Sequence, residues 1–270
     1  MQVVRPLIMG VVNVTPDSFS DGGRYLDHAA AIEHGRGVVA DGADWVDVGG
    51  ESTRPRAEPV PADEELRRVV PVVEALVADG IAVSIDTRKA EVARAAVDAG
   101  AGMVNDVSAS LAEVAAAGGV AFVAMHMLGD PRTMQEQPVY DDVVVDVRDF
   151  LVARADAARA AGVTDVWLDP GIGFGKTLDH NLDLLANLDV FVATGYPVLV
   201  GTSRKTMLGT LAARADGEGA AVPPPTDRLE GSVATAVWAW RQGAAMVRVH
   251  DVGATVRARR AIEATAAAAA

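Results

Sequence analysis

The polar residues that could bind a ligand in this chain recur at the ends of short apolar segments. In chain order they are Asn13, Asp47, Asp86, Asn105 with Asp106, His126, Asp169, Ser203 to Lys205, and Arg248 with His250. Together these carboxylates, amides and cations can hydrogen-bond a polar ligand and neutralise an anionic one. Any single Asp, Asn or Ser could instead cap a helix. Eight consecutive segments that end in this way favour a shared ligand site over eight separate caps.

Cationic residues that could hold an anion lie mainly late in the chain. Arg248 and His250 leave the eighth apolar segment together, and Lys205 begins a helical segment after the seventh. A helix N-terminus adds unpaired backbone N–H donors and a favourable dipole. Arg54 stands in a glycine-flanked loop that could close over such a site. We therefore expect a local anion site.

The composition limits the class of protein that could carry this site. The chain has 270 residues, 50% of them hydrophobic, a formal net charge of −13 and no cysteine. These values exclude low-hydrophobicity disorder, disulfides and thiol chemistry, and argue against non-specific nucleic-acid binding. No apolar run reaches the roughly 18 to 20 residues of a membrane span, and the N-terminal stretch lacks a signal-peptide cleavage site. We expect a cytoplasmic protein with neither membrane nor nucleic acid as a partner.

Short β-branched apolar runs alternate with longer amphipathic segments along the chain, as strands alternate with helices in α/β proteins. The predicted strands are 7–14, 45–48, 81–85, 102–104, 120–125, 166–168, 197–200 and 246–249. The predicted helices are 27–41, 63–79, 88–99, 110–118, 140–162, 178–193, 228–242 and 251–267. Eight strand–helix units predict one (β/α)8 barrel domain over residues 1–270, with its active site at the C-terminal strand ends.

A doubly wound open sheet is the alternative architecture, but no dinucleotide-type glycine loop follows the first strand. In a barrel, phosphate is frequently bound by the loops after strands seven and eight, where Lys205, Arg248 and His250 lie. The segment 212–226 contains three consecutive prolines and is predicted to be a surface insertion.

Two further motifs suggest nucleotide or metal binding, but neither matches its pattern fully. Residues 170–177 (PGIGFGKT) fall one residue short of a Walker A loop, with Pro170 in place of the first glycine, so nucleotide binding is not favoured. His126 and His250 could hold a catalytic metal together with carboxylates, yet no HExxH or similar spacing occurs. His126 could line the pocket or be structural.

Three strings make the chain closely resemble the dihydropteroate synthases: residues 13–23 (NVTPDSFSDGG), 47–55 (DVGGESTRP) and 248–251 (RVHD). Supporting matches at 86–87, 105–106, 125–127, 169–176 and 203–205 follow the family order. The resemblance implies the same barrel, usually as a homodimer. It also implies the folate-pathway condensation of 6-hydroxymethyl-7,8-dihydropterin diphosphate with p-aminobenzoate, the step that sulfonamides target, to give 7,8-dihydropteroate and diphosphate.

The resemblance assigns roles position by position. Hydrogen bonds to the pterin would come from Asp86, Asn105, Asp169 and Lys205, with Val107, Met125, Phe174 and Gly201 lining its faces. The diphosphate would be held by Asn13, Arg54, Arg248 and His250, and Asn13 would also be the Mg²⁺ ligand. The p-aminobenzoate pocket would be formed by Phe19, Thr53, Arg54, Pro55, Lys205 and Thr206. Catalysis would depend on Asn13, Asp21, Arg54, Lys205, Arg248 and His250.

The implied reaction is dissociative: diphosphate leaves first, and the aniline nitrogen then attacks the stabilised pterin methylene cation. Such a pathway needs leaving-group stabilisation and exclusion of water more than a strong base. The loops that carry Phe19 with Asp21 and Thr53 with Arg54 would close over the bound pterin.

Two readings from other classes stay open. A pterin-dependent methyltransferase domain would share the barrel and the Asp/Asn pterin site, but would not need residues 52–55 or the Arg248–His250 pair. A catalytically inactive paralogue could act as a binding protein. The stretch from Asn105 to His126 is shorter than in typical members of the family, which makes the Val107 loop an altered part of the expected site.

Overall fold

The computed structural model describes residues 5–15, 28–52, 57–130 and 132–268. Eight parallel strands form one sheet. They are β1 (Leu7–Asn13), β2 (Trp45–Gly49), β3 (Val83–Asp86), β4 (Met103–Asp106), β5 (Ala121–Met125), β6 (Val166–Asp169), β7 (Leu199–Val200) and β8 (Met246–Val249). The strand order is β6-β5-β4-β3-β2-β1-β8-β7. Each strand is short and apolar because both of its faces are covered.

The sheet closes on itself at the junction between β6 and β7. A single parallel bridge joins Leu168 to Val198, and the Leu168 N–H donates to the Pro197 carbonyl at 2.9 Å. The predicted (β/α)8 barrel is therefore confirmed and the open-sheet alternative is wrong.

Ten helices are present in the described residues. They are α1 (His28–Ala40), α2 (Ala62–Ala78), α3 (Ala90–Asp98), α4 (Ala112–Gly118), α5 (Val143–Ala160), α6 (Leu178–Ala186), α7 (Leu188–Val192), α8 (Thr206–Asp216), α9 (Leu229–Arg241) and α10 (Val252–Ala268). The predicted helix 178–193 is interrupted at Asn187. The expected insertion starts at Gly217 rather than at residue 212, because α8 continues to Asp216 before a glycine of positive φ ends it. No described helix is both long and apolar enough to cross a membrane.

The inside of the barrel is filled by a cluster of apolar side chains from most of the strands. Its buried members are Met9, Met103, Ala121, Val123, Trp167, Leu199 and Met246. Side chains alternate between the two faces of a strand, so the residue two positions later points the same way. Two residues after an inward apolar residue come Asn105, Met125, Asp169, Gly201 and Arg248. The polar residues are thus placed above a packed apolar layer, at the C-terminal mouth.

Candidate active site

Arg248 lies at the centre of a polar cluster formed by the ends of β2, β3, β4 and β8. Its Nε donates to Asp47 Oδ2 at 2.6 Å, and its second terminal nitrogen donates to Asp86 Oδ2 at 2.7 Å. The Asn105 side-chain amide donates to the same Asp47 oxygen at 3.0 Å. Asp47 is fully buried, and its Oδ1 has no hydrogen-bond partner among the described residues. Asp47 therefore joins two predicted site residues.

The two carboxylates and the guanidinium perturb one another. Burial raises the pKa of Asp86 to about 7; Arg248 opposes this shift and Asp47 adds to it. Burial lowers the pKa of Arg248, but Asp47 and Asp86 raise it more, so that its pKa lies above the usual value. Arg248 accordingly keeps its charge, whereas Asp86 titrates close to neutral pH.

Asp169 and Lys205 form the other side of the mouth. Asp169 is buried, and its Oδ1 accepts the Gly171 N–H at 2.7 Å. The Lys205 ammonium donates to the Ile172 carbonyl and lies 4.5 Å from the centre of the Phe174 ring. Burial lowers the pKa of Lys205 to about 8, and Asp169 opposes the shift. Burial raises the pKa of Asp169, and Lys205 opposes that shift. The two charges stabilise each other across the pocket.

Lys176, the lysine of the Walker-like string, points into the protein. Its ammonium donates to the carbonyls of Gly171 and Phe174 at 3.0 Å each and lies 2.9 Å from His126 Nδ1. Burial lowers the pKa of Lys176 to about 7. Burial also lowers the pKa of His126 to about 3, with Lys176 adding to the shift. The ammonium of Lys176 is thus occupied by backbone carbonyls and His126, and its hydrogen bonds shape the loop that carries Phe174.

His250 and Lys205 are brought together by the loop after β7. The backbone N–H of His250 donates to Ser203 Oγ at 3.1 Å, and its ring Nδ1 lies 3.1 Å from the same oxygen. Lys205 is the N-cap residue of α8 and Thr206 is the first helical residue. Lys205 and His250 therefore both lie next to residues 203–206 at the N-terminus of α8, an environment that favours anions.

Other predicted residues lie around the same mouth. Val107 and Met125 are buried directly after β4 and at the end of β5. A Cβ added to Gly201 would lie 3.6 Å from the Arg248 Cβ, so this glycine faces the polar cluster closely. Asn13 ends β1, and its side chain makes no hydrogen bond to another described residue. The predicted residues Phe19, Asp21, Thr53, Arg54 and Pro55 lie outside the described residues.

The start of the loop after β2 is anchored by ionic contacts that the sequence did not reveal. The Gly50 carbonyl accepts from Arg68 at 2.9 Å. Glu51 accepts from Arg88 at 2.9 Å and also pairs with Lys89. Three of the predicted p-aminobenzoate residues, Thr53, Arg54 and Pro55, come two to four positions after Glu51 in the sequence.

The side chains at the mouth show what kind of metal ion the site could bind. No group of three His, Asp or Glu side chains suited to a metal occurs in residues 5–15, 28–52, 57–130 and 132–268. A lone amide oxygen at Asn13 suits Mg²⁺ only where the ligand's own oxygens supply most of the coordination.

Comparison with known proteins supports a single family. A family model described as "pterin binding enzyme" matches residues 9–250. The dihydropteroate synthase of Mycobacterium leprae (strain TN) is 51% identical over 97% of this chain and 94% of its own length. That of Escherichia coli (strain K12) is 44% identical over 98% and 93%. The Yersinia pestis dihydropteroate synthase structure with a sulfonamide drug superposes with a TM-score of 0.89, at 44% identity, covering 99% of this chain and 96% of that one. The Xanthomonas albilineans enzyme in complex with 7,8-dihydropteroate superposes with a TM-score of 0.85, at 45% identity, over 99% and 96%.

Proposed function

Since this chain belongs to the pterin-binding enzyme family and, within it, to the dihydropteroate synthases, we propose how its residues carry out the family's reaction. The protein is a transferase that condenses 6-hydroxymethyl-7,8-dihydropterin diphosphate with p-aminobenzoate. The observation that carries the proposed site is the convergence of Asp86, Asn105, Asp169, Lys205 and Arg248 on one end of the barrel.

In the proposed site the pterin lies between the Arg248 cluster and the Asp169–Lys205 side. Asp169 uses Oδ1 for the Gly171 N–H, and its Oδ2 receives no hydrogen bond from another described residue. That oxygen is therefore left to accept N–H groups from the amino-amide edge of the heterocycle. Phe174 and Met125, with Val107 and Gly201, provide the apolar and close-packed surfaces for its faces.

The leaving group is proposed to lie against Asn13, Arg248 and His250, with Arg54 approaching from the loop after β2. Arg248 donates one hydrogen bond each to Asp47 and Asp86. Because a guanidinium has five N–H groups, further N–H donors remain for a diphosphate oxygen. Asn13 fits Mg²⁺ as a single protein ligand beside a diphosphate. When bound, the ion would neutralise charge on the departing diphosphate.

The reaction that these residues support is a displacement at the pterin methylene carbon. The C–O bond breaks with its electron pair leaving on diphosphate, and the electron-rich dihydropterin stabilises the cation. The p-aminobenzoate nitrogen then forms the C–N bond and loses a proton. The chain's own cations stabilise the leaving group, and the loops proposed to carry Phe19, Asp21, Thr53 and Pro55 exclude water. Lys205 and Thr206 are proposed to hold the p-aminobenzoate carboxylate at the start of α8.

The test of this function is p-aminobenzoate consumption with the pterin diphosphate, with Mg²⁺ and with a chelator. We expect 7,8-dihydropteroate to form only with Mg²⁺, and Asn13→Ala to lower kcat/KM by roughly 10- to 100-fold. Asn187→Ala, between α6 and α7, serves as the control with unchanged activity. Product formation that is indifferent to the chelator would contradict the metal assignment. Pterin binding without product would identify the inactive paralogue or the methyltransferase class.

We expect kcat/KM for the pterin diphosphate to fall as the pH drops through about 7, the pKa of Asp86. Below that pH Asp86 is protonated, so it no longer pairs with Arg248 as an anion or accepts hydrogen bonds as a carboxylate. Because Asp47 raises the pKa of Asp86, the acid limb should move to lower pH in Asp47→Asn. The limb should stay in place in Asp98→Asn, which alters an exposed residue at the end of α3. An unmoved limb in Asp47→Asn would show that another group titrates.

We propose that residues 1–270 form one domain that acts as a homodimer in the cytoplasm, with small molecules rather than nucleic acid or membrane as partners. Exposed apolar side chains on neighbouring helices support association: Leu182 on α6 and Trp238 on α9, whose indole N–H donates to the Leu185 carbonyl at 2.8 Å. The net charge of −13 argues against nucleic acid as a partner.

A further inference from the structure

The turn that leads into α8 has an unusual backbone. The Lys205 N–H donates to the Thr202 carbonyl at 3.1 Å, which closes a β-turn over residues 202–205. Arg204, its third residue, has a φ of +60°. Left-handed backbone at this turn position is normally adopted by Gly or Asn, because a larger side chain crowds its own carbonyl. A residue held there needs support from its surroundings.

Each part of Arg204 is held by a different residue. Its backbone N–H donates to Ser232 Oγ at 3.0 Å. Its guanidinium pairs with both Asp251 oxygens, at 3.0 and 2.6 Å. Its carbonyl accepts from Arg228 at 2.9 Å. Thus Ser232 in α9, Asp251 directly before α10 and Arg228 directly before α9 all contact one turn residue.

Arg228 differs from the other residues around Arg204 because its charge is buried without a carboxylate partner among the described residues. It is 9% exposed, and no carboxylate within residues 5–15, 28–52, 57–130 and 132–268 lies at ion-pair distance from its guanidinium. Its other donors go to the Pro223 carbonyl, at 3.0 Å from Nε and 2.6 Å from a terminal nitrogen. Burial lowers the pKa of Arg228. A buried guanidinium paired only with carbonyls costs stability, which indicates a role beyond packing.

Gly209 in α8 makes room for this contact. A Cβ added at Gly209 would lie 2.7 Å from Arg228 Nε and 2.9 Å from the Val222 side chain. Glycine inside a helix is unfavourable by itself, and here it allows the guanidinium and the proline-rich segment to lie directly on α8. The insertion and the turn are therefore joined through one side chain.

We propose that Arg228 is a positioning residue that holds Arg204 in its left-handed conformation and thereby fixes Lys205 and the first turn of α8. The proline-rich segment 217–227 supplies the Pro223 carbonyl that orients the guanidinium. We call the contact of Arg228 with Arg204 and Pro223 the Arg228 clamp. This inference rests on the proposed function only for the roles of Lys205 and Thr206, which are the residues that the clamp aligns.

The test is a double-mutant cycle of Arg228→Met with Arg204→Gly. In the otherwise unchanged enzyme we expect Arg228→Met to raise KM for p-aminobenzoate about 10-fold, the scale of the left-handed penalty. Glycine adopts that conformation freely, so Arg228→Met should cost less than about 3-fold in the Arg204→Gly enzyme. Equal losses in both enzymes, or no loss in either, would overturn the proposal.

Two further variants separate positioning from general destabilisation. Gly209→Ala should reproduce the KM increase of Arg228→Met, since the added methyl displaces the guanidinium without removing a donor. Arg214→Ala, an exposed arginine near the end of α8, should leave KM unchanged. Thermal unfolding of each variant identifies any that merely lose stability.

Backbone hydrogen exchange tests the clamp apart from catalysis. The amides of Arg204 and Lys205 should exchange faster in Arg228→Met than in the unsubstituted protein, and Arg214→Ala should leave them unchanged. If the unsubstituted protein forms no pteroate, the proposed function is wrong. The exchange result still tests whether Arg228 holds Arg204 and Lys205 in place. Unchanged exchange in Arg228→Met would refute the clamp.

Discussion

Asp169→Asn should weaken pterin binding by at least about 100-fold, a loss of two charge-assisted hydrogen bonds. Asp169 is 4% exposed and already uses Oδ1 for the Gly171 N–H. An amide in its place must keep its oxygen there, which turns an NH2 donor toward the donor edge of the pterin. Buried donors that face each other without an acceptor cost the full desolvation of both groups.

The substitution should also act through Lys205. Asp169 raises the pKa of that lysine, whose value of about 8 is set mainly by burial. Without the carboxylate the Lys205 pKa falls further, so at pH 8 more of the lysine is neutral and less able to donate to the ligand. Calorimetric titration with the dihydropterin at pH 6.5 and pH 8 should therefore show a larger defect at the higher pH.

The matched control is Asp165→Asn, an exposed carboxylate directly before β6. It has the same change in charge four residues earlier and should bind pterin normally. Retained affinity in Asp169→Asn would show that the pterin is anchored elsewhere, with Asp86 and Asn105 as the next candidates.

Arg248→Met should be the most destabilising single substitution in the site, lowering the free energy of unfolding by about 3–5 kcal/mol near pH 8. The guanidinium compensates Asp47 and Asp86, and Asp47 is fully buried. Removing it leaves the fully buried Asp47 and the partly buried Asp86 carboxylates close together without a cation, and burial and mutual repulsion both disfavour their charged forms. Pterin diphosphate turnover should be lost as well.

The loss of stability in Arg248→Met should depend on pH in a direction that follows from the raised pKa of Asp86. A carboxyl whose folded pKa is raised contributes stability at low pH, and that contribution is lost as the pH rises through the folded value. Asp86 already titrates near 7 with Arg248 present, and its pKa rises further without the arginine. The stability deficit of Arg248→Met should therefore shrink as the pH is lowered from 8 toward 5.

Urea unfolding at several pH values measures this deficit. Adding Asp47→Asn should restore part of the stability of Arg248→Met, because one uncompensated charge is removed. Arg257→Met, an exposed arginine on α10, provides the control with little change. A pH-independent deficit would mean that lost packing, not uncompensated charge, explains the effect.

The barrel and the position of the site could be predicted because both follow from short-range patterns. Alternating apolar runs mark strands that are buried on both faces, and the polar residue ending each run must lie at the same mouth. The structure places Asn105, Asp169 and Arg248 at that mouth, as this argument predicts. The family resemblance added roles that periodicity does not contain.

What the sequence did not show were the partners across the barrel. Asp47 stood among the strand-end residues, but nothing in its neighbourhood indicates that it pairs with Arg248, 201 positions later. The hydrogen bonds of Lys176 to backbone carbonyls and His126 could not be predicted, because residues 170–177 resemble a phosphate-binding loop in sequence. The break at Asn187 lies beside α9, whose Trp238 indole donates to the Leu185 carbonyl, and such a contact between helices cannot be read from local preference. The end of α8, in contrast, is set locally by Gly217.

The closure of the barrel gives the substrate a part in the stability of the fold itself. β7 is two residues long, and one bridge joins β6 to the segment before it. Asp169 ends β6 and Lys205 follows β7, so the proposed pterin site straddles this junction. A ligand held from both sides acts as a cross-link where the sheet has fewest bonds of its own. We therefore expect bound pterin to raise the stability of the chain by linking the β6 and β7 sides of this junction.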